Sequence, residues 1–366
     1  MKLLLRLKLK ILLIVLILFS GTLRSVDLNF YFKHINNRDG LPHNSVNSVI
    51  QDKTGFIWFA TENGLSRYDG YSFVNYSGIH NSEKSIGDNV INTVELDRSG
   101  KIWAGTNGGG LNRYDHEQEH FFKYYPEPEN RSDLRNRVFS IFEENDNTLW
   151  IGTMGNGLYS FNKETERFLK HTLNCRRDPK NENILYKITG YQQGNLLIGT
   201  SSGLYKYNIA RNSSSCLNND INKEKNFSVY SFYIDSSGLI WVGTSLGVLH
   251  LDQETDRLYF PKDILLKKIR GHVVNAFHED KYNRMWIGSW NGLYIIDKNL
   301  TKCSHLRAKS RSNFDLSSRF ITDIYEDKNG VIWIASLYGV DRYDIDQAYF
   351  RYYDIGEIAS PEISTG

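Results

Sequence analysis

One string recurs seven times along the chain, and no other feature restricts the fold as much. Phe56-Ile57-Trp58-Phe59-Ala60-Thr61, continued by Gly64-Leu65-Ser66-Arg67-Tyr68-Asp69, returns as Lys101-Ile102-Trp103-Ala104-Gly105-Thr106 with Gly110-Leu111-Asn112-Arg113-Tyr114-Asp115. Further copies centre on Trp150, Leu197, Trp241, Trp286 and Trp333. Successive anchors lie 45, 47, 47, 44, 45 and 47 residues apart, and six of the seven tryptophans occupy the anchor, with Leu197 in the remaining copy. A period in the mid-forties that holds several short strands is the size of one four-stranded propeller blade. The expected fold is therefore all-β: a seven-bladed β-propeller of four-stranded antiparallel blades, forming one domain over residues 26–354. With 23 Tyr, 19 Phe and only 6 Pro, the composition favours sheets.

Each repeat divides into strands with recognisable turn chemistry. The first strand alternates, as in Val46 to Ile50, and leads into Asp52-Lys53-Thr54-Gly55, with counterparts beginning at Asp97, Asp235 and Asp327. Asp bonds its own backbone at the start of such a turn, and Gly supplies positive φ at its end. The Trp strand closes on Gly or Ala followed by Thr or Ser, a pairing that lets neighbouring backbones approach closely. A second turn ends in Gly64, Gly110, Gly157, Gly203, Gly247, Gly292 or Gly339. Aromatic stretches then supply the fourth strand, at Tyr71–Tyr76, Phe121–Tyr125, Phe168–His171, Leu258–Phe260 and Tyr349–Tyr353; none is legible after Tyr207. Phe30–His34 reads as an outer strand without a blade, and it competes with Tyr349–Tyr353 to complete the seventh.

Both ends carry separate signals. Lys2 to Lys10 is a basic region, Ile11 to Phe19 is an unbroken apolar run, and Ser20, Gly21 and Thr22 suit a signal peptidase. Residues 1–25 are expected to be a signal peptide, or an uncleaved N-terminal anchor if Leu3–Leu5 extend the run. That tip holds five bases and no acid, which leaves 39 bases against 42 acids for the remainder, so nucleic acid is not an expected partner. Residues 355–366 read as linker to a region further on. The three cysteines form no even framework, although Cys175 and Cys216 offer one pairing in an exported chain.

The composite Asp-x-x-Gly-x-Ile-Trp-x-Gly-Thr-x-x-Gly-Leu-x-x-Tyr-Asp resembles the two-component regulator propeller repeat over residues 30 to about 354, and Asp39-Gly40-Leu41-Pro42-His43-Asn44-Ser45-Val46 looks like the opening of its first copy. The resemblance implies the periplasmic sensor region of a hybrid two-component histidine kinase of bacteroidete type, responding to fragments of complex glycans. Longer members add a second propeller, a β-sandwich, a membrane helix and the output domains, which makes a second propeller, a sandwich or a second copy of the chain expected partners. No kinase motif occurs in these residues, so the chain is expected to be a truncated, non-catalytic sensor located in the periplasm.

Little else suggests chemistry. Gly108-Gly109-Gly110 falls in a blade turn with no helix after it, unlike a phosphate cradle. The ten histidines and three cysteines show no metal-ligand spacing and no Gly-x-Ser-x-Gly elbow occurs, so neither metal nor cofactor is expected. The anchors Trp58, Trp103, Trp150, Leu197, Trp241, Trp286 and Trp333 are expected between blades, not as sugar platforms. Trp290 departs from the repeat, standing where other blades carry Glu62-Asn63 or Ser201-Ser202.

The turn between second and third strands should share one rim with the lead-in to the first strand. That rim would carry Glu62, Asn63, Asn107, Met154, Asn156, Trp290 and Tyr338 from the turns, and His43, Arg135, Arg137, His272 and Arg319 from the lead-ins. Candidate ligand-binding residues are Trp290, Tyr338, Arg135, Arg137, Arg319, His272, Glu62 and Asn107, the arginines suiting carboxylates or sulfates of an acidic oligosaccharide. Two rival readings stand beside the sensor: a propeller glycosidase or polysaccharide lyase, with Glu62 and Tyr338 as its best acid–base pair, and a passive protein-interaction scaffold.

Overall fold

The computed structural model describes residues 30–79, 82–155, 157–173, 184–217, 221, 227–297, 299–308 and 315–345. The expected signal segment and linker, Tyr349–Tyr353, Asn156 and Cys175 lie outside the described residues.

Residues 31–347 form a compact unit of seven four-stranded antiparallel sheets, as the repeat predicts. Blade 1 consists of Val46–Gln51, Ile57–Thr61, Gly64–Tyr68 and Phe73–Tyr76, and the strands follow one another in the sheet in chain order. The innermost strands of blades 2 to 7 are Ile91–Leu96, Val138–Asn145, Leu185–Tyr191, Val229–Ile234, Val274–Glu279 and Ile321–Glu326. Each contacts the next, and the last returns to the first, so the ring closes.

Closure falls to the N-terminal segment. Lys33–Ile35 pairs antiparallel with Gly339–Asp344 and supplies the outer strand of blade 7. His34 Nδ1 meets the buried Asp341 carboxylate at 2.5 Å, and Ile35 is buried. Blade 4 does possess a fourth strand, Ser213–Cys216, paired with Gly203–Asn208. Its serines carry none of the aromatic signal that marks this strand elsewhere. The outer strand of blade 6 is Cys303–Leu306. Cys216 and Cys303 are free thiols.

The tryptophans hold the blades together. Trp58 lies 5.1 Å from Tyr114 of blade 2, Trp103 5.6 Å from Phe161 of blade 3, and Trp150 5.5 Å from Tyr207 of blade 4. Trp241 reaches Phe277, Trp286 reaches Tyr343, and Trp333 reaches Phe59 and so crosses the closure. Leu197 joins a buried cluster with Val229, Ile240 and Val242 of blade 5. Truncating a buried aromatic of this kind costs about 3–5 kcal/mol.

The small residue near the end of each Trp strand has its own cause. A Cβ on Gly243 would stand 2.6 Å from the Val274 carbonyl oxygen of the next innermost strand. The hydroxyl that follows then fixes the second turn: Thr61 donates to the Gly64 carbonyl at 2.7 Å, and Thr106, Thr153, Thr200, Thr244, Ser289 and Ser336 do the same in their own blades.

Candidate functional site

The second turn and the lead-in to the first strand meet at one rim in all seven blades. The backbone N–H groups of Glu62, Asn107, Met154, Ser201, Ser245, Trp290 and Leu337 donate to the carbonyls of Ser45, Val90, Arg137, Ile184, Ser228, Val273 and Phe320. With the backbone fixed in this way, the side chains at these positions are free to differ from blade to blade. Most are small or polar, but blades 6 and 7 carry Trp290, Leu337 and Tyr338, which are 49%, 41% and 60% exposed.

These three belong to a continuous arc. The Gly292 N–H donates to the Arg319 carbonyl, tying the blade 6 turn to the blade 7 lead-in. The Trp290 ring stands edge-on to Phe320 at 6.4 Å, and the Arg319 guanidinium lies 4.6 Å from the Phe320 ring centre. At the other side of the turn, Asn291 Nδ2 approaches His272 Nε2 at 3.1 Å and donates to the Tyr294 hydroxyl. An exposed indole and phenol beside a cation on an aromatic face offer stacking surface, hydrogen-bond donors and positive charge together.

The other candidates lie on different blades. Glu62 is exposed in blade 1 and Asn107 half-buried in blade 2. Arg137, in the lead-in to blade 3, points to the Met154 sulfur at 3.9 Å. Arg135 is already committed within the chain: its Nε and Nη2 donate to the two oxygens of Asp133 at 2.8 and 2.6 Å, and its Nη1 meets Glu127 at 2.8 Å. Hydrogen bonding from Arg135 holds the Asp133 carboxyl down at about 2. Two carboxylates therefore neutralise this guanidinium, which leaves it little capacity for an acidic ligand. It does line a cavity of about 580 Å³ together with Ser132, Lys170, His171 and Leu173. Glu62 and Tyr338 share no hydrogen bond among the described residues.

Phe320 and Leu337 were not singled out from the sequence. The signal is present in the alignment of blades: Leu337 occupies the position of Trp290, and Phe320 that of Ser45 and Val90.

Blades locked by tryptophan, turned by Asp and Gly, and closed by an N-terminal strand define a seven-bladed propeller whose rim side chains vary from blade to blade. Five of its repeats match the family model described as Two component regulator propeller, at residues 40–63, 133–155, 225–245, 268–291 and 315–338. Histidine kinase P4 of Formosa agariphila is 40% identical over 55 residues, covering 15% of this chain and 4% of that protein. Among solved structures, the extracellular domain of a hybrid two component system from B. thetaiotaomicron matches at 27% identity and a TM-score of 0.74, over 86% of this chain and 42% of that one. The extracellular domain of a one component system from the same organism matches at 22% identity and a TM-score of 0.71, over 86% and 40%. Virginiamycin B lyase from Staphylococcus aureus shares the fold at 12% identity and a TM-score of 0.63, over 86% and 99%. The chain thus spans about two-fifths of the extracellular domains it matches. Among the described residues no helix is long and apolar enough to cross a membrane.

Proposed function

We propose that this chain is the ligand-sensing propeller of an extracytoplasmic two-component receptor, that it binds carbohydrate-derived ligands on the blade 6–7 rim, and that it does not transform them. The observation that carries the reading is the aromatic surface of the exposed Trp290 and Tyr338 and the half-buried Phe320 with Arg319, on a rim whose other turns present mostly small or polar side chains. Pyranose rings have an apolar C–H face that packs on such rings, and a guanidinium beside them favours acidic sugars. Because every blade is locked to its neighbours, occupancy is transmitted by rigid-body movement of the whole propeller against its partners, not by deformation within a blade. The receptor context, the export and the non-catalytic role rest on the likeness to extracellular domains of two-component systems.

Isothermal titration of the chain against neutral and acidic oligosaccharides tests this directly. Binding heats that vanish in the W290A/Y338A double variant are expected. Heats absent for every member of the panel, or turnover of a polysaccharide that is lost in Glu62→Ala, would overturn the reading.

A further inference from the structure

Every innermost strand shifts register after its first residue, so its second residue sits at a bulge: Asn47, Asn92, Phe139, Tyr186, Tyr230, Asn275 and Thr322. Bulges re-aim side chains, and here they turn this residue along the channel wall toward the neighbouring blade. In four consecutive blades it stitches the ring. Asn275 donates to the Ile321 carbonyl, Thr322 to Val46, Asn47 to Ile91 and Asn92 to Val138, at 3.2, 2.5, 2.8 and 3.0 Å.

The other three blades break this pattern together. Phe139, Tyr186 and Tyr230 make no such bridge; their rings meet one another instead, Phe139 to Tyr186 at 6.3 Å and Tyr186 to Tyr230 at 4.8 Å. All three are half-buried. Neither phenol hydroxyl has a hydrogen-bond partner among the described residues.

We propose that this aromatic arc at the channel mouth is a second ligand site, separate from the blade 6–7 rim, and that it takes a single sugar ring. The chemistry on the wall selects the class. A wholly apolar ligand would bury two phenol hydroxyls without partners, at a cost in free energy for each. A wholly polar one would gain nothing from three adjoining rings. A pyranose satisfies both demands, with its C–H face on the Tyr186 and Tyr230 rings and its hydroxyls toward the two phenols. The site deepens the carbohydrate reading given above and rests on it.

The test uses the chain with methyl β-D-glucopyranoside, methyl β-D-galactopyranoside and D-glucuronate, followed by saturation-transfer NMR and titration calorimetry. The Y186F/Y230F variant keeps the rings and removes the hydroxyls. At least one monosaccharide should bind, at least tenfold more weakly to Y186F/Y230F, and with unchanged affinity to W290A/Y338A. An unaltered melting temperature of Y186F/Y230F excludes a folding defect. No monosaccharide binding, or equal binding by Y186F/Y230F, overturns the channel site. Oligosaccharide heats that persist in Y186F/Y230F and disappear in W290A/Y338A would leave the rim reading standing alone, whereas silence of every sugar would remove both.

Discussion

Asp52 accepts a hydrogen bond at 2.8 Å from the indole N–H of Trp58, six residues further on. The same carboxylate oxygen-to-indole bond joins Asp97 to Trp103, Glu144 to Trp150, Asp235 to Trp241, Asp280 to Trp286 and Asp327 to Trp333. In blade 4 both partners are absent: Leu197 fills the anchor, and the residue six before it is Tyr191. A buried indole N–H needs an acceptor and a buried acid needs donors, so each partner makes the other tolerable.

Asp52→Ala should therefore lower stability by about 3 kcal/mol, since the carboxylate also accepts from the backbone N–H groups of Thr54, Gly55 and Phe56. Urea denaturation followed by tryptophan fluorescence measures this. Leu197, which has no polar atom to satisfy, should tolerate Leu197→Met with a loss under about 1.5 kcal/mol.

A buried histidine and a half-buried glutamate give opposing pH dependences. His250 packs at 4.6 Å from Trp241, its Nε2 lacks a partner among the described residues, and burial pushes its pKa down to about 4. The unfolded chain binds a proton there below about 6.5 that the folded protein refuses. The stability is whole above about 6.5 and declines as pH falls toward 4. His250→Phe should flatten that slope. Glu95 behaves in the reverse sense, because burial pushes its pKa up to about 7 against the attraction of Lys187. The folded chain keeps a proton that the unfolded chain releases, so stability falls as pH rises from about 4.5 to 7. Glu95→Gln should remove this loss. Melting temperatures measured from pH 4 to 8 separate the two, and parallel profiles for wild type and both variants would contradict these assignments.

Ile35→Ala should cost about 2–4 kcal/mol through the cavity left in the cluster it forms with Val340, Trp333 and Val46. The measurement is again an unfolding midpoint. Loosening of this strand also bares the Gly339–Asp344 edge, so light scattering on heating should rise earlier than in the wild type.

Gly243→Ala should destabilise by about 1–3 kcal/mol, because the added methyl meets the Val274 carbonyl and the Ser231 hydroxyl. Blades 1 and 7 already carry Ala60 and Ala335 at this position, so Ala60→Gly should not stabilise. Differential scanning calorimetry of both variants decides it.

W290A/Y338A should leave the melting temperature within about 1 °C of wild type, because both side chains are largely outside the core, while weakening oligosaccharide binding at least tenfold. Calorimetric titration beside a thermal scan reads both quantities on one sample.

Ring, blade number and strand order were legible because the repeat is periodic and its turn residues obey local rules. What escaped the sequence reading depends on partners distant along the chain. Ser213–Cys216 pairs because Gly203–Asn208 offers an edge, not because its own residues favour a strand. Asp280 and Glu144 take the acid position without the Asp-x-x-Gly turn: Asn283 supplies the positive φ in blade 6, and blade 3 inserts a bulge between Glu143 and Asn145. The rim itself could be placed from the repeat, yet the neutralisation of Arg135 by Asp133 and Glu127 required coordinates. Phe139, Tyr186 and Tyr230 stand 47 and 44 residues apart, and only the packing of adjacent blades brings their rings together.

His34 meets Asp341 across 307 residues of sequence. The segment that clasps the wheel is thus among the first of this unit to be synthesised, and its seat among the last. Until that seat emerges, blade 1 lacks its neighbour on one side and the clasp has nowhere to dock. Such late, long-range pairing makes folding slow and leaves intermediates sticky. Newly made chains would then depend on chaperone shelter for longer than a protein assembled from local hairpins alone.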